Sequence, residues 1–185
     1  MAKIHNRSLF SAKQLITSDT DLKAYLRKMP NKCIKLVGDG KYILHYNDIT
    51  SLSSTEILNK KVAIILNTKH SSNTSDTPGH WLVLLISKQK KCLFIDSLNK
   101  GGSFKDDDIV KTVKMFCMRH NLHFIDWKTR TQGRLSQACG FTILYYIDLF
   151  AKHGLPAFEK LKKMFLNYSI RKREYFILQK AFRLI

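Results

Sequence analysis

Three short, mainly aliphatic runs constrain this 185-residue chain most: Lys61-Val-Ala-Ile-Ile-Leu-Asn67, His80-Trp-Leu-Val-Leu-Leu-Ile-Ser87 and Cys92-Leu-Phe-Ile-Asp96. Each has the length and β-branched or aromatic content of a strand, and none alternates apolar with polar residues, as a sheet wetted on one face would require. The first two predict buried strands and the third a further strand. Lys88-Gln-Lys-Lys91 is a charged turn between the second and third runs, so these two form an antiparallel hairpin. The stretch from Lys69 to Gly79, rich in Ser, Asn, Thr and Asp and ending in Pro78-Gly79, is a loop.

Helical patterns flank these strands. Ser8–Ile16 and Asp19–Arg27 space their apolar residues by three and four, with Ser18 or Asp19 as a cap for the second and Pro30 as its stop. Lys41–Tyr46, after Gly38-Asp-Gly40, predicts a short strand that includes His45, and Leu52–Lys60 a polar helical turn. Asp106-Asp-Asp108 heads an amphipathic helix over Ile109–Met118, with Ile109, Val110, Val113, Phe116 and Cys117 on one face. Leu122–Trp127 alternates like a strand. A long apolar helix runs from Cys139 to about Lys152 and is ended by Gly154-Leu-Pro156; basic amphipathic helices follow at about 157–167 and 171–183. The expected fold is α+β, a central mixed sheet of about four to five strands packed between helices. It forms one domain over 1–185, with a core at about 60–150 and a basic helical part at 155–185.

The formal charge is +18, from 32 Lys and Arg against 14 Asp and Glu. Such a surplus attracts polyanions, nucleic acid first. No zinc finger, RNP motif or basic zipper is visible, so any contact with DNA is expected to be independent of sequence. Four scattered cysteines (Cys33, Cys92, Cys117, Cys139) form no Cys-x-x-Cys pair, which argues against a structural zinc site. Cys92 and Cys117 lie in apolar segments and are expected to be small buried hydrophobes. No apolar segment is long enough for a membrane span, and the polar N-terminus lacks a signal-peptide core, so a reducing, non-secretory setting is expected.

Cys139 marks the chemistry. It stands where the polar loop from Gln132 enters the apolar helix, followed at once by Gly140. A helix start carries unsatisfied N–H groups and partial positive charge, which stabilise a thiolate, the nucleophilic form. Such a cysteine needs an imidazole and a group to orient it. Among seven histidines, His5, His70, His120 and His153 sit in polar or terminal contexts, and His45 and His123 inside strand-like runs. His80 alone opens a buried strand directly after a Pro-Gly loop, where a scaffold can aim it into a cleft. Trp81 beside it is placed to shield the ring and support its cation. Asp96 ends the hairpin partner of that strand, near the start of the His80 strand. Oxyanion donors could be the Cys139 backbone N–H with the side-chain amide of either Gln132 or Gln137.

Gly79-His80-Trp81, Leu93-Phe-Ile-Asp96-Ser97-Leu98 and Gln132-Gly133…Ser136-Gln-Ala-Cys139-Gly140 resemble, in order and spacing, the adenovirus-protease and ubiquitin-like-protein-protease group of cysteine peptidases. The likeness covers roughly residues 60–150. The step from Gln132 to Cys139 is similar to the adenovirus enzyme, whereas Asp-Ser-Leu at 96–98 is more like the SUMO-protease branch; the adenovirus enzyme has a glutamate in its triad. The resemblance implies a papain-like or adenain-like fold, with Cys139 as nucleophile, His80 as general base and acid, Asp96 orienting His80, and Gln132 rather than Gln137 in the oxyanion hole. Trp81 and Gly140 are then support for the site and its substrate.

It further implies a viral maturation endopeptidase, most like those of virophages and Polinton-type elements. Such an enzyme would cleave capsid precursors, often after Gly-Gly, as a monomer in the virion and viral factory and away from membranes. No metal or cofactor is implied for the chemistry, and non-specific DNA is the candidate polyanionic activator. The adenovirus enzyme is also activated by a peptide joined through a cysteine, but no cysteine lies just before Gln132 here. The alternatives are a SUMO- or ubiquitin-like-protein deconjugase and an inactive nucleic-acid-binding scaffold.

Overall fold

A computed structural model describes residues 19–28, 35–36, 43–57, 59–68, 79–98, 107–133 and 138–184. The architecture is α+β around one mixed sheet. The aliphatic runs form its centre: β3 (Val62–Asn67), β4 (Trp81–Ile86) and β5 (Lys91–Ile95). β3 and β4 are antiparallel, as are β4 and β5, and β6 (His123–Asp126) lies parallel to β5 on one edge. On the other edge, β1 (Lys35–Leu36) and β2 (Ile43–His45) both run parallel to β3, in register Lys35↔Val62 and Ile43↔Ile65. Among the described residues the sheet thus has six strands where four to five were expected, because two short ones share a single edge position end to end. β1 is only two residues long, too short for any periodicity to announce it.

The pleat sorts the side chains of the central strands between two cores, since successive residues face opposite sides. Ala63, Ile65, Trp81, Val83, Leu85, Leu93 and Ile95 enter one core with α1 (Asp19–Lys28), α4 (Cys139–His153), α5 (Pro156–Leu166) and α6 (Ile170–Ala181). Val62, Ile64, Leu66, Leu82, Leu84, Ile86, Cys92 and Phe94 enter the other. There they meet a 3-10 turn (Tyr46–Ser51), α2 (Ser54–Ile57) and α3 (Asp107–Arg119). This two-sided burial explains why the strands read as unbroken apolar runs. α3 buries Ile109, Val113, Phe116 and Cys117 and half-buries Val110, the face its spacing predicts. Cys92 and Cys117 are both buried, and a hydrogen bond with Cys117, then burial, pushes the Cys92 thiol up.

α4 is buried over all of residues 139–148 and again at Phe150 and Ala151. A helix apolar on every side needs a cover on every side, which the sheet and α1, α5 and α6 supply. It stops at Gly154, whose φ of 69° suits glycine and whose N–H donates to Phe150 O at 2.8 Å. Pro156, expected to help end this helix, instead opens α5, where its fixed φ and missing N–H cost nothing. Phe158, Leu161 and Phe165 turn inward from α5, as do Ile177 and Ala181 from α6. Aromatic edges bind this layer together: Trp127 with Phe158 at 5.7 Å and Phe165 with Phe176 at 6.0 Å between centroids. The C-terminal helices are therefore part of the core rather than an addition to it.

The expected helix at 8–16, the Ser18 cap, the Pro30 stop, the turn at 38–40, the loop at 69–78, Cys33 and Gln137 lie outside the described residues. Among the described residues no helix is long and apolar enough to cross a membrane.

Candidate active site

Chain direction gathers the candidate residues at one end of the central strands. β4 begins there, β5 ends there, the segment after β6 crosses there, and α4 starts there. His80 immediately precedes β4. Its backbone is held twice by Thr68, which follows β3: Thr68 N–H donates to His80 O at 2.9 Å, and His80 N–H donates to Thr68 Oγ1 at 2.8 Å. The ring is thus placed by the sheet rather than by a free loop.

Asp96 immediately follows β5. The β4–β5 hairpin, in register Val83↔Ile95, returns it to the start of β4, and His80 Nε2 lies 2.8 Å from Asp96 Oδ1. The same oxygen accepts the Leu98 N–H at 2.9 Å, which locks the carboxylate against its own turn. The two side chains are 18% and 31% exposed, enough shelter for the pair to count and enough opening for access from solvent.

Cys139 is the first residue of α4 and is 9% exposed. No side chain caps this helix end through Ala138, and no acidic residue stands in its first turn, so neither offsets the helix dipole there. The Cys139 thiol lies close enough to the His80 ring to raise its pKa. With Nε2 turned to Asp96, Nδ1 is the ring nitrogen left for the thiol. Burial alone would lower the His80 pKa, but the hydrogen bonds to Asp96 and Cys139 and their negative charge outweigh it and hold the imidazole at about 9. An imidazolium that persists to this pH is the partner a thiolate needs.

Gln132 is 1% exposed, and its Oε1 accepts a 2.6 Å hydrogen bond from Ser97 Oγ. Its backbone is held as well: the N–H groups of Thr131 and Gln132 both donate to Ser97 O, at 3.0 and 2.9 Å. Behind this strap Tyr146 of α4 donates its hydroxyl to Thr131 Oγ1 at 3.1 Å. Arg130 Nε donates to Gln132 O, and Arg173 of α6 donates both to Arg130 O at 2.9 Å and to Phe165 O at 2.8 Å. A hydrogen-bonded chain therefore runs from the C-terminal helices to Gln132.

Trp81 is 5% exposed and packs in the α4-side core together with Cys139, so its indole is part of the wall beneath the site. Gly140 is buried in the first turn of α4. Spacing alone did not point to Thr68, Ser97 or Arg173. Ser97 stood inside a motif without a role, and the other two act only through contacts distant in sequence. Of the histidines set aside, His120 proves to be buried, its Nδ1 3.0 Å from Ser54 Oγ, and it serves the packing of α3 on α2. Among the described residues no cluster of His, Cys, Asp and Glu could hold a metal ion. Compared with protein-family models and with curated proteins, the chain matches none.

Proposed function

We propose that this protein is a cysteine endopeptidase of adenain-like fold that processes capsid precursors during virion maturation. The observation that carries the reading is one imidazole paired at 2.8 Å with a carboxylate and raised in pKa by that carboxylate and by a thiol at a helix start. In this reading the Cys139 thiolate attacks the scissile carbonyl carbon, and the carbonyl π pair moves onto oxygen. The Gln132 amide and the Cys139 backbone N–H are the donors for that oxyanion. As the tetrahedral species collapses, the C–N bond breaks and the His80 imidazolium gives its proton to the departing amine. A thioester remains on Cys139. His80, now neutral, takes a proton from water as the water oxygen attacks the thioester, and the second collapse returns the thiolate and imidazolium. Asp96 keeps the ring oriented and compensates its charge throughout.

Two tests bear on this reading directly. Iodoacetamide at substoichiometric concentration is expected to alkylate Cys139 well ahead of the buried Cys92 and Cys117, read by peptide mass mapping; equal labelling of the three would sink it. Incubation with capsid precursors should then give discrete cleavage products that disappear after alkylation. The Asp-Ser-Leu at 96–98 favours a second reading, a ubiquitin-like-protein deconjugase. A panel of fluorogenic ubiquitin-like substrates separates the two, because the maturation enzyme leaves them uncut.

We also propose that the enzyme binds DNA without sequence preference and works as a monomer in the virion or viral factory. The charge of +18 supports the DNA contact, as do Lys160, Lys162, Lys163, Arg171, Lys172 and Lys180, all exposed on α5 and α6. Affinity for duplex DNA is expected to fall linearly on a log–log plot against salt, by fluorescence anisotropy. Binding that ignores salt, or none at low salt, would reduce the basic surface to a solubility feature.

A further inference from the structure

We propose that Ser97 is a positioning residue for the oxyanion site: its hydroxyl sets which end of the Gln132 amide is presented to the reacting carbonyl. The inference rests on the peptidase reading of the site.

A glutamine amide is nearly symmetric in shape and opposite in chemistry at its two ends. Its NH2 group donates and its oxygen accepts. Only the donor end can stabilise an oxyanion; the oxygen end repels it. Something must therefore distinguish two orientations that differ by half a turn about the last side-chain bond. In this protein the Ser97 hydroxyl does so, donating to Gln132 Oε1 at 2.6 Å. In the reversed amide, Ser97 would have to accept from Nε2 and its proton would lose Oε1 as acceptor, while the amide oxygen took the donor's place. Ser97 is 3% exposed and Gln132 1%, so bulk water is poorly placed to substitute for either partner.

The backbone adds a second constraint. Ser97 O accepts from Thr131 N–H and Gln132 N–H, which seats the whole Gln132 segment on the turn after β5. The residue just before Ser97 is Asp96, which holds His80. One dipeptide, Asp96-Ser97, thus sets the position of the general base through one side chain and of the oxyanion donor through the next. Ser97→Ala leaves the backbone contacts in place and removes only the hydroxyl.

The test uses the full chain, a fluorogenic peptide ending in Gly-Gly and a peptide aldehyde ending in glycinal. An aldehyde adds to the thiolate to form a hemithioacetal and so draws on the oxyanion donors, whereas alkylation by iodoacetamide does not. Ser97→Ala is expected to lower kcat about 10- to 100-fold, below or at the cost of deleting a whole oxyanion donor. KM should stay within about twofold. Aldehyde affinity should fall by a similar factor to kcat, and the rate of Cys139 alkylation should be unchanged. Ser97→Thr, which keeps the hydroxyl, should restore most of kcat. Ser97→Cys keeps the volume with a poor donor, and it should behave like Ser97→Ala even if the alanine variant folds badly. Wild-type kcat in both Ser97→Ala and Ser97→Cys, or equal losses in kcat and in alkylation rate, would overturn the proposal. A wild-type enzyme that neither hydrolyses the peptide nor alkylates at Cys139 would instead overturn the peptidase reading, and this inference with it.

Discussion

Replacing Cys139 by alanine is expected to lower kcat for precursor cleavage by about 10⁴-fold or more, the scale on which loss of a nucleophile acts in triad peptidases. The fold should survive. Cys139 is buried at the start of α4, but the side chain lost is small, and the helix behind it is held by contacts along its whole length. Losing one buried sulfur costs on the order of 1 kcal/mol, well within the stability of a domain of this size. The check is a pair of measurements: cleavage of a capsid precursor followed by gel and mass, and thermal unfolding by circular dichroism. Residual cleavage above about one-hundredth of wild type, with an unchanged melting curve, would exclude Cys139 as the nucleophile. Loss of both activity and fold would be uninformative for alanine alone, so serine, nearly the same size, is the companion substitution. It should fold as wild type and remain almost inactive, because a serine hydroxyl beside an imidazole tuned to a thiolate is a far weaker nucleophile.

The parts of this site that were legible in the sequence are those fixed by strands. The apolar runs at 62–66, 81–86 and 92–95 are compact and rich in aliphatic residues, so their identity as strands followed from composition. Once Lys88–Lys91 was taken as a turn, Asp96 had to return to the start of β4, and the 2.8 Å contact with His80 is the result of that register. Cys139 was legible because a polar loop meets an apolar helix there. The strand at Lys41–Tyr46 was legible as β2 (Ile43–His45), but β1 and the placing of both at one edge were harder. Their pairing to β3 is parallel and non-local, and the two residues of β1 carry no period. The support of the site was not legible either. Ser97 meets Gln132 across 35 residues, and Arg173 meets Arg130 across 43. Such hydrogen bonds depend on how separate elements are brought together, which local patterns do not encode. The contribution of the basic helical part at 155–185 to the hydrophobic core was hidden for the same reason. Charge dominates the sequence of α5 and α6, yet Phe158, Phe165 and Ile177 bury their apolar faces in the α4-side core, and Arg173 reaches the strap that carries Gln132.

Asp96→Asn should move the alkaline limit of activity to lower pH as well as lower its maximum. Asparagine keeps the shape and offers an oxygen to His80 Nε2, so the ring can stay in place, but the negative charge is gone. In the wild-type protein burial pulls the His80 pKa down, and Asp96 and Cys139 together lift it to about 9. With Asp96 neutral, burial gains against what remains, and the imidazolium loses its proton at a lower pH. The general acid for the departing amine would then be depleted earlier, so the falling limb of kcat/KM, expected near pH 9 for the wild type, should shift towards neutrality. The maximum should fall by on the order of 10²-fold, the lower end of what an acid–base partner contributes. Stability gives an independent readout with a definite sign. A histidine at about 9 in the fold and 6.5 in the unfolded chain binds more protons when folded. Its contribution is complete below pH 6.5 and is lost as pH rises through about 9. The stability difference between wild type and Asp96→Asn, measured by denaturant titration, should therefore be largest near pH 6 and shrink towards pH 10. A difference that grows with pH, or a limb that stays in place, would mean that the charge of Asp96 does not govern His80.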